Sequence, residues 1–266
     1  MHAFEYHRPS STKDALALGS NKEEARYLAG GQSLVQAMKL RLSSPSDLID
    51  LGTIKELAGI KASGSGVEIG AMTRHADVAA SKDVQKAIPA LAMLAGIIGD
   101  RQVRHMGTIG GSLANSDPAA DYPAAVLGLG ATITTNKRKI EADKYFKGLF
   151  ETALEPGELI TSVAFPAPKR AAYMKFKNPA SRFALVGVFV ADFGGGKVRV
   201  AVTGAGPCAF RQAEMEKALA AKFAPDAVAN IKVKQDGLNS DLHASPEYRA
   251  HLITVMCKRA VEAALK

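Results

Sequence analysis

"ARYLAGGQSLVQAMKLRL", residues 25–42, reads as a strand, a turn and a helix in immediate succession. "RYL" is a short strand. Gly30 and Gly31 free the backbone from side-chain sterics, and Leu34, Met38 and Leu42 then recur every four residues, one face of a short helix that Pro45 ends. A glycine turn between strand and helix can turn backbone N–H groups toward an anion. The same glycines also fit a tight turn that needs nothing more than a positive φ. No lysine of the phosphate-loop pattern follows them.

Around this stretch the pattern continues. "FEYH" before it and "DLIDL" after it are strands, and Ser11 with Asp14 forms a capping box for "TKDALAL", which Gly19 can close. Residues 1–52 therefore form a small β-α-β-α-β unit. "GIKASGSGVEIGA" predicts two strands about a Gly/Ser turn, and residues 76–99 are mostly helical with a buried second half. "GTIGGSLANSDPAADYP", residues 107–123, is dense in turn residues and reads as a loop, followed by a short helix, the strands "GATITT" and "RKIEA", and a closing strand "ELITSVAFP". Prolines and charges in "PAPKRAA" mark a boundary, giving units 1–168 (subdivided 1–52 and 53–168) and 169–266. Beyond it, "YMKFKN", "FALVGVFVADF" and "KVRVAVTGA" are strands, with a hairpin at Gly194, Gly195 and Gly196, and two helices complete a smaller α+β domain with an antiparallel sheet. The fold class is α+β.

The chain has 266 residues, 47% of them hydrophobic, enough for one large or two medium cores. Cys208 and Cys257 are its only cysteines and lie far apart, so its own thiols can build neither an iron–sulfur cluster nor a structural zinc site. "MHAFEYHRPSSTKDA" has no apolar leader, and no apolar run reaches the roughly eighteen residues of a membrane span. The reading is cytoplasmic, with no membrane span. The net charge of +8 is dispersed, and its one dense run, "NKRK", lacks interleaved aromatics, so no nucleic-acid partner is expected. Such a charge favours anionic ligands or an acidic protein face.

A second paired-glycine turn, "TIGGS", residues 108–112, changes the weight of the first. Two such turns can converge on one diphosphate, held by N–H groups and hydroxyls, and the missing lysine disfavours nucleotide hydrolysis. Asp121 has two open readings: an acceptor for sugar hydroxyls, or the N-cap of the helix starting near Pro123. "GAGPCA", residues 204–209, imitates a dinucleotide fingerprint, but Pro207 breaks the turn. His75 and His105 are isolated, without ligand spacing, and read as loop or core residues.

Together "AGGQSL", "VRHMGTIGGSLANSDPAADYP", "PGELITSVAFP" and "YMKFKNPASRFALVGV" resemble the flavin-binding medium subunit of the molybdenum hydroxylases, the family of carbon monoxide dehydrogenase and xanthine dehydrogenase. The resemblance covers nearly the whole chain. It implies FAD bound noncovalently between a two-part N-terminal domain and a smaller C-terminal one. By position, Ala29, Gly30, Gly31, Gln32, Ser33 and Leu34 would wrap the pyrophosphate, with Thr108, Gly110, Gly111 and Ser112 on its other side. Asp121 would lie near the sugar hydroxyls, Ile160 would pack on the flavin, and Lys175 would sit near the isoalloxazine, with Lys177 two residues on. Phe183 stands where carbon monoxide dehydrogenase has a tyrosine. The resemblance further implies a large subunit with a molybdenum cofactor, a small subunit with two iron–sulfur clusters, and a dimer of heterotrimers. No catalytic residue and no metal ligand are expected in this chain. A self-sufficient FAD-dependent dehydrogenase and a non-redox nucleotide-binding protein are the competing readings.

Overall fold

The computed structural model describes residues 1–20 and 22–266. The N-terminal unit runs β1 (Glu5–His7), α1 (Thr12–Ser20), β2 (Arg26–Leu28), α2 (Leu34–Lys39) and β3 (Asp47–Asp50), with the three strands parallel in the order β1-β3-β2. The capping box forms: the Ser11 hydroxyl donates to Asp14 at 2.7 Å and accepts from the Asp14 N–H at 3.1 Å. Helix α2 is shorter than the Leu34, Met38, Leu42 spacing predicts. Only Met38 is buried, and Leu42 is 79% exposed. The helix is closed by a Schellman motif: Arg41 takes φ 59°, its N–H donates to the Met38 carbonyl, and the Leu42 N–H reaches back to that of Ala37.

The second unit carries β4 (Ile60–Ser63) and β5 (Gly66–Gly70), then the helices α3 (His75–Ala80), α4 (Lys82–Ala87), α5 (Pro89–Gly96), α6 (Arg101–Met106), α7 (Ile109–Asn115) and α8 (Tyr122–Leu129). After these come β6 (Thr132–Thr135), β7 (Lys139–Glu141), the single turn α9 (Ala142–Tyr145), the small hairpin β8 (Phe146–Gly148) and β9 (Glu151–Thr152), and β10 (Ile160–Pro166). Its antiparallel sheet has the order β4-β5-β10-β6-β7. Residues 107–123, expected as a loop, contain α7. Thr108 caps that helix by accepting from the Gly111 N–H at 3.1 Å, and its two glycines lie inside the first turn.

The C-terminal unit is an antiparallel sheet of β11 (Arg170–Lys177), β12 (Ala184–Asp192), β13 (Val198–Thr203) and β14 (Phe210–Arg211), in that order, with α10 (Ala213–Ala221) and α11 (Pro246–Ala264). All nine residues of β12 are buried because both of its faces are covered. Val186, Val188 and Val190 pack with Leu252, Ile253 and Met256 of α11. Phe189 and Ala191 join the core of the second unit, against the wholly buried α8. The two large units thus share apolar packing through α8. No helix among the described residues is long and apolar enough to cross a membrane.

Arg41 bears a side chain in a conformation that glycine adopts without penalty. We expect Arg41→Gly to raise the unfolding free energy by about 1 kcal/mol in chemical denaturation. An unchanged or lower value would show that the arginine side chain offsets the strain.

Candidate functional site

One cavity of about 860 Å³ is lined by both large units and the first turn. Of the residues singled out from sequence, Ala29, Gly30, Gly31, Gln32, Ser33, Leu34, Thr108, Gly110, Gly111, Ser112, Asp121 and Ile160 all line it, as does Phe183. Lys175 does not.

The first turn holds a row of free donors. Among the described residues, the N–H groups of Gly30, Gly31, Gln32, Ser33 and Leu34 donate to no other group of the chain, while the neighbouring Val35 and Leu51 N–H groups do, to Gly31 and Leu28. Gly31 takes φ +71°, which lets successive N–H groups turn toward one side. Consecutive unpaired donors at a cavity wall are a site for an anion.

The second turn behaves differently, against the expectation that both turns would offer backbone donors. Its N–H groups are spent within the protein: Ile109 on the Thr73 carbonyl, Gly110 on that of Ala71 at 2.8 Å, Gly111 on the Thr108 hydroxyl and Ser112 on the Thr108 carbonyl. Its glycines serve close packing. A Cβ on Gly110 would lie 2.6 Å from that of Ala71, and one on Gly30 would overlap the Met106 carbonyl and stand 2.7 Å from the Gly107 Cα. What α7 offers the cavity is side chains. Thr108 keeps its hydroxyl hydrogen, and Ser112 and Asn115 line the cavity with no partner among the described residues. Asn115 was not singled out from sequence, although it lies seven residues from Thr108 and three from Ser112, a spacing that marks one helix face.

Asp121 proves not to cap α8. Its buried carboxylate accepts from the Tyr173 hydroxyl at 2.6 Å and from Lys175 Nζ at 2.9 Å. Burial pushes the Asp121 carboxyl up, and the Lys175 ammonium and Tyr173 hydroxyl oppose it. The Lys175 side chain is fully buried and also donates to the Ile97 carbonyl at 3.2 Å. Lys175, expected beside a ring, is therefore held away from the cavity wall, because a lysine so deep in the protein needs a carboxylate partner. The pair joins the start of α8 to β11.

Ile160 is placed by a network that sequence did not reveal. Glu158 is buried and bound by Arg138 through Nε and Nη2, both at 3.1 Å, by the Thr135 hydroxyl at 2.7 Å and by the Glu155 N–H at 2.8 Å. Leu159 and Asn136 exchange two hydrogen bonds beside it. Burial pushes the Glu158 carboxyl up, but Arg138, the Glu155 N–H and Thr135 outweigh it and bring it to about 2. At the cavity's rim, Phe150 and Arg182 both take positive φ, 54° and 62°, and with Phe183 they are exposed. Asn178 folds the Arg182 loop by accepting from the Ala180 and Ser181 N–H groups. His75, buried in the wall, is the remaining titratable group of note; burial and then Arg104 lower it to about 4. Among the described residues no cluster of His, Cys, Asp and Glu is placed to hold a metal ion.

Comparison with known proteins matches residues 2–168 to the family described as the FAD binding domain in molybdopterin dehydrogenase, and residues 171–264 to the CO dehydrogenase flavoprotein C-terminal domain. The chain is 37% identical to the carbon monoxide dehydrogenase medium chain of Afipia carboxidovorans, covering 98% of this chain and 96% of that one. It is 35% identical to the glyceraldehyde dehydrogenase medium chain of Sulfolobus acidocaldarius, covering 97% and 96%. Among solved structures, reconstituted CO dehydrogenase from Oligotropha carboxidovorans superposes with a TM-score of 0.90 at 36% identity, covering 99% of this chain and 98% of that one.

Two outcomes test the site's electrostatics. Lys175→Met leaves a buried carboxylate with one partner, so we expect it to cost about 3–5 kcal/mol in denaturant unfolding, with Lys175→Met/Asp121→Asn recovering a large part. Equal losses in the single and double variants would show that the two groups are not coupled. The Glu158 carboxyl lies lower folded than its ordinary value of 4.5, so its contribution to stability is present above that pH and lost as pH falls toward about 2. Glu158→Gln should remove this part of the acid limb, and a stability profile with the same acid slope in both proteins would contradict the assignment.

Proposed function

This chain belongs to the FAD-binding medium-subunit family of the molybdenum hydroxylases, and we propose that it holds FAD in the inter-unit cavity with the diphosphate on the N–H groups of residues 30–34. It is an oxidoreductase subunit of a multi-subunit complex. Bound FAD supplies the redox chemistry, taking electrons from iron–sulfur clusters and passing them to an external acceptor. The chain's own residues bind and orient it. The hydroxyls of Thr108 and Ser112 and the Asn115 amide meet the diphosphate from the side opposite the first turn. Asp121 receives a sugar or ribityl hydroxyl on the lone pairs that Tyr173 and Lys175 leave open. Ile160 packs on the flavin, and Phe150 and Phe183 shield its open edge from water.

The observation that carries this reading is the row of unpaired donors facing a cavity of about 860 Å³. An anion held by backbone dipoles and hydroxyls suits a diphosphate that is bound and not transferred. The molybdenum cofactor and two iron–sulfur clusters belong to a large and a small partner subunit, and the assembly is a dimer of heterotrimers in the cytoplasm. Residues 1–168 form the FAD-binding domain and 169–266 the C-terminal domain. The substrate is chosen in the molybdenum subunit.

The purified protein should carry about one FAD per chain, seen as flavin absorbance, and should copurify with two partner subunits when coexpressed with its neighbours. Light scattering of that assembly should give twice the mass of one heterotrimer. Ser112→Ala/Asn115→Ala should weaken FAD binding by roughly ten-fold or more while leaving apo-protein stability within about 0.5 kcal/mol. A protein that takes up no flavin would sink the reading, and a double variant with full affinity would remove α7 from the diphosphate site.

A further inference from the structure

The wall of the cavity contains a group that the binding scheme above leaves unused. His75 opens α3, lines the cavity and is only 5% exposed. Its backbone N–H donates to the Gly107 carbonyl at 2.9 Å, tying it to the residue before Thr108. Its ring lies against that of Tyr122, with centroids 5.3 Å apart, so the imidazole's direction is fixed by packing. Nδ1 is buried with no hydrogen-bond partner. Nε2 has no partner among the described residues either, and it is the ring nitrogen that keeps access to the cavity.

Position and tautomer both follow. A Cβ on Gly107 would come within 2.6 Å of Nε2, so Nε2 lies against the backbone of the second turn. The same Gly107 Cα is what a Cβ on Gly30 would strike, and Gly30 begins the row of free N–H groups. Nε2 therefore stands where the two turns meet. A buried N–H without an acceptor is rarer and costlier than a buried lone pair without a donor, so the proton belongs on Nε2 and the lone pair on the orphaned Nδ1. Burial, with Arg104 nearby, keeps the ring neutral at pH 7. The result is a fixed donor at the cavity wall, with no acceptor among the described residues.

We propose that His75 is a cofactor-binding residue whose Nε2–H donates to an oxygen of the dinucleotide's diphosphate at the junction of the two turns. This rests on the reading of the cavity as an FAD site. His75 adds a side-chain donor to the backbone donors of the first turn, and this role explains why an imidazole is buried without a partner among the described residues. A hydrogen bond to a charged oxygen is among the stronger ones, and its loss should be visible in affinity.

The test compares FAD dissociation constants, from flavin fluorescence quenching, for the wild-type chain, His75→Leu and His75→Gln. Leu keeps the bulk and removes the donor; Gln places an amide nitrogen near the Nε2 position. We expect His75→Leu to bind FAD about ten-fold or more weakly, His75→Gln to recover most of the loss, and the ³¹P resonances of bound FAD to shift in His75→Leu. Wild-type binding with His75→Leu within two-fold of it overturns the role of His75 alone. A wild-type chain that binds no FAD overturns both this proposal and the cofactor reading. Should His75→Leu fail to fold, long-range ¹H–¹⁵N spectra of the wild-type protein decide: a proton on Nε2 whose signals move on FAD addition supports the assignment, and a proton on Nδ1 overturns it.

Discussion

Two turns far apart in sequence meet backbone to backbone, and the site depends on that contact. Gly30 abuts the Met106 carbonyl and Gly107, and Gly110 abuts Ala71, at separations that admit no Cβ. The contact has unequal consequences for the two turns. The second is stitched into the β5–α3 corner by hydrogen bonds from Ile109 and Gly110, so its backbone is rigid and satisfied. The first leans on this rigid neighbour and leaves its own N–H groups unspent. Unpaired donors would be costly in a dry interior. At a cavity wall water satisfies them until a ligand replaces it, and a row fixed in advance loses little entropy on binding.

The same economy appears in the charges around the cavity. Arg26 and Arg182, the cations in its lining, are both exposed. Each of the four acids there is already engaged: Asp100 caps α6, Asp117 accepts from the Ala119 N–H, Asp121 is paired with Lys175 and Glu158 with Arg138. Two of these acids thus face a cation and two a backbone N–H, and no lysine or arginine in the lining is buried. What the cavity offers an anion is backbone dipoles and hydroxyls. Breaking the Asp121–Lys175 pair would expose the ligand to an uncompensated charge as well as loosen α8 from β11.

Much of this was legible in the sequence because local rules agreed with the global fold. The strands of the first unit, the capping box at Ser11 and Asp14, the hairpin at Gly194, Gly195 and Gly196, and both C-terminal helices stand where pattern put them. The misreadings had physical reasons. Glycines have low helix propensity, so "TIGGS" read as a turn, yet the Thr108 cap and the close approach to Ala71 favour a helix there. The spacing of Leu42 suggested a core position, but a Schellman closure left it in solvent. Lys175 reads as a free cation until its partner 54 residues away is known. No sequence pattern distinguishes His75 from a core histidine, since what sets it apart is a buried ring with no hydrogen-bond partner among the described residues.

The basic character of the chain gains its meaning from that same arrangement. A net charge of +8 invites the assumption that lysines and arginines would hold an anionic ligand, yet the unpaired donors at the cavity are the N–H groups of the first turn, and its lining includes no buried lysine or arginine. Contacts made by fixed dipoles at hydrogen-bonding distance are little screened by salt, whereas dispersed surface charges act over about 10 Å and weaken as ionic strength rises. The two kinds of attraction are thereby separated within one chain. On the proposed reading, ligand retention follows local geometry, and the long-range field of the basic surface acts on encounters with other proteins. Similar chains serve dehydrogenases named for compounds as unlike as carbon monoxide and glyceraldehyde.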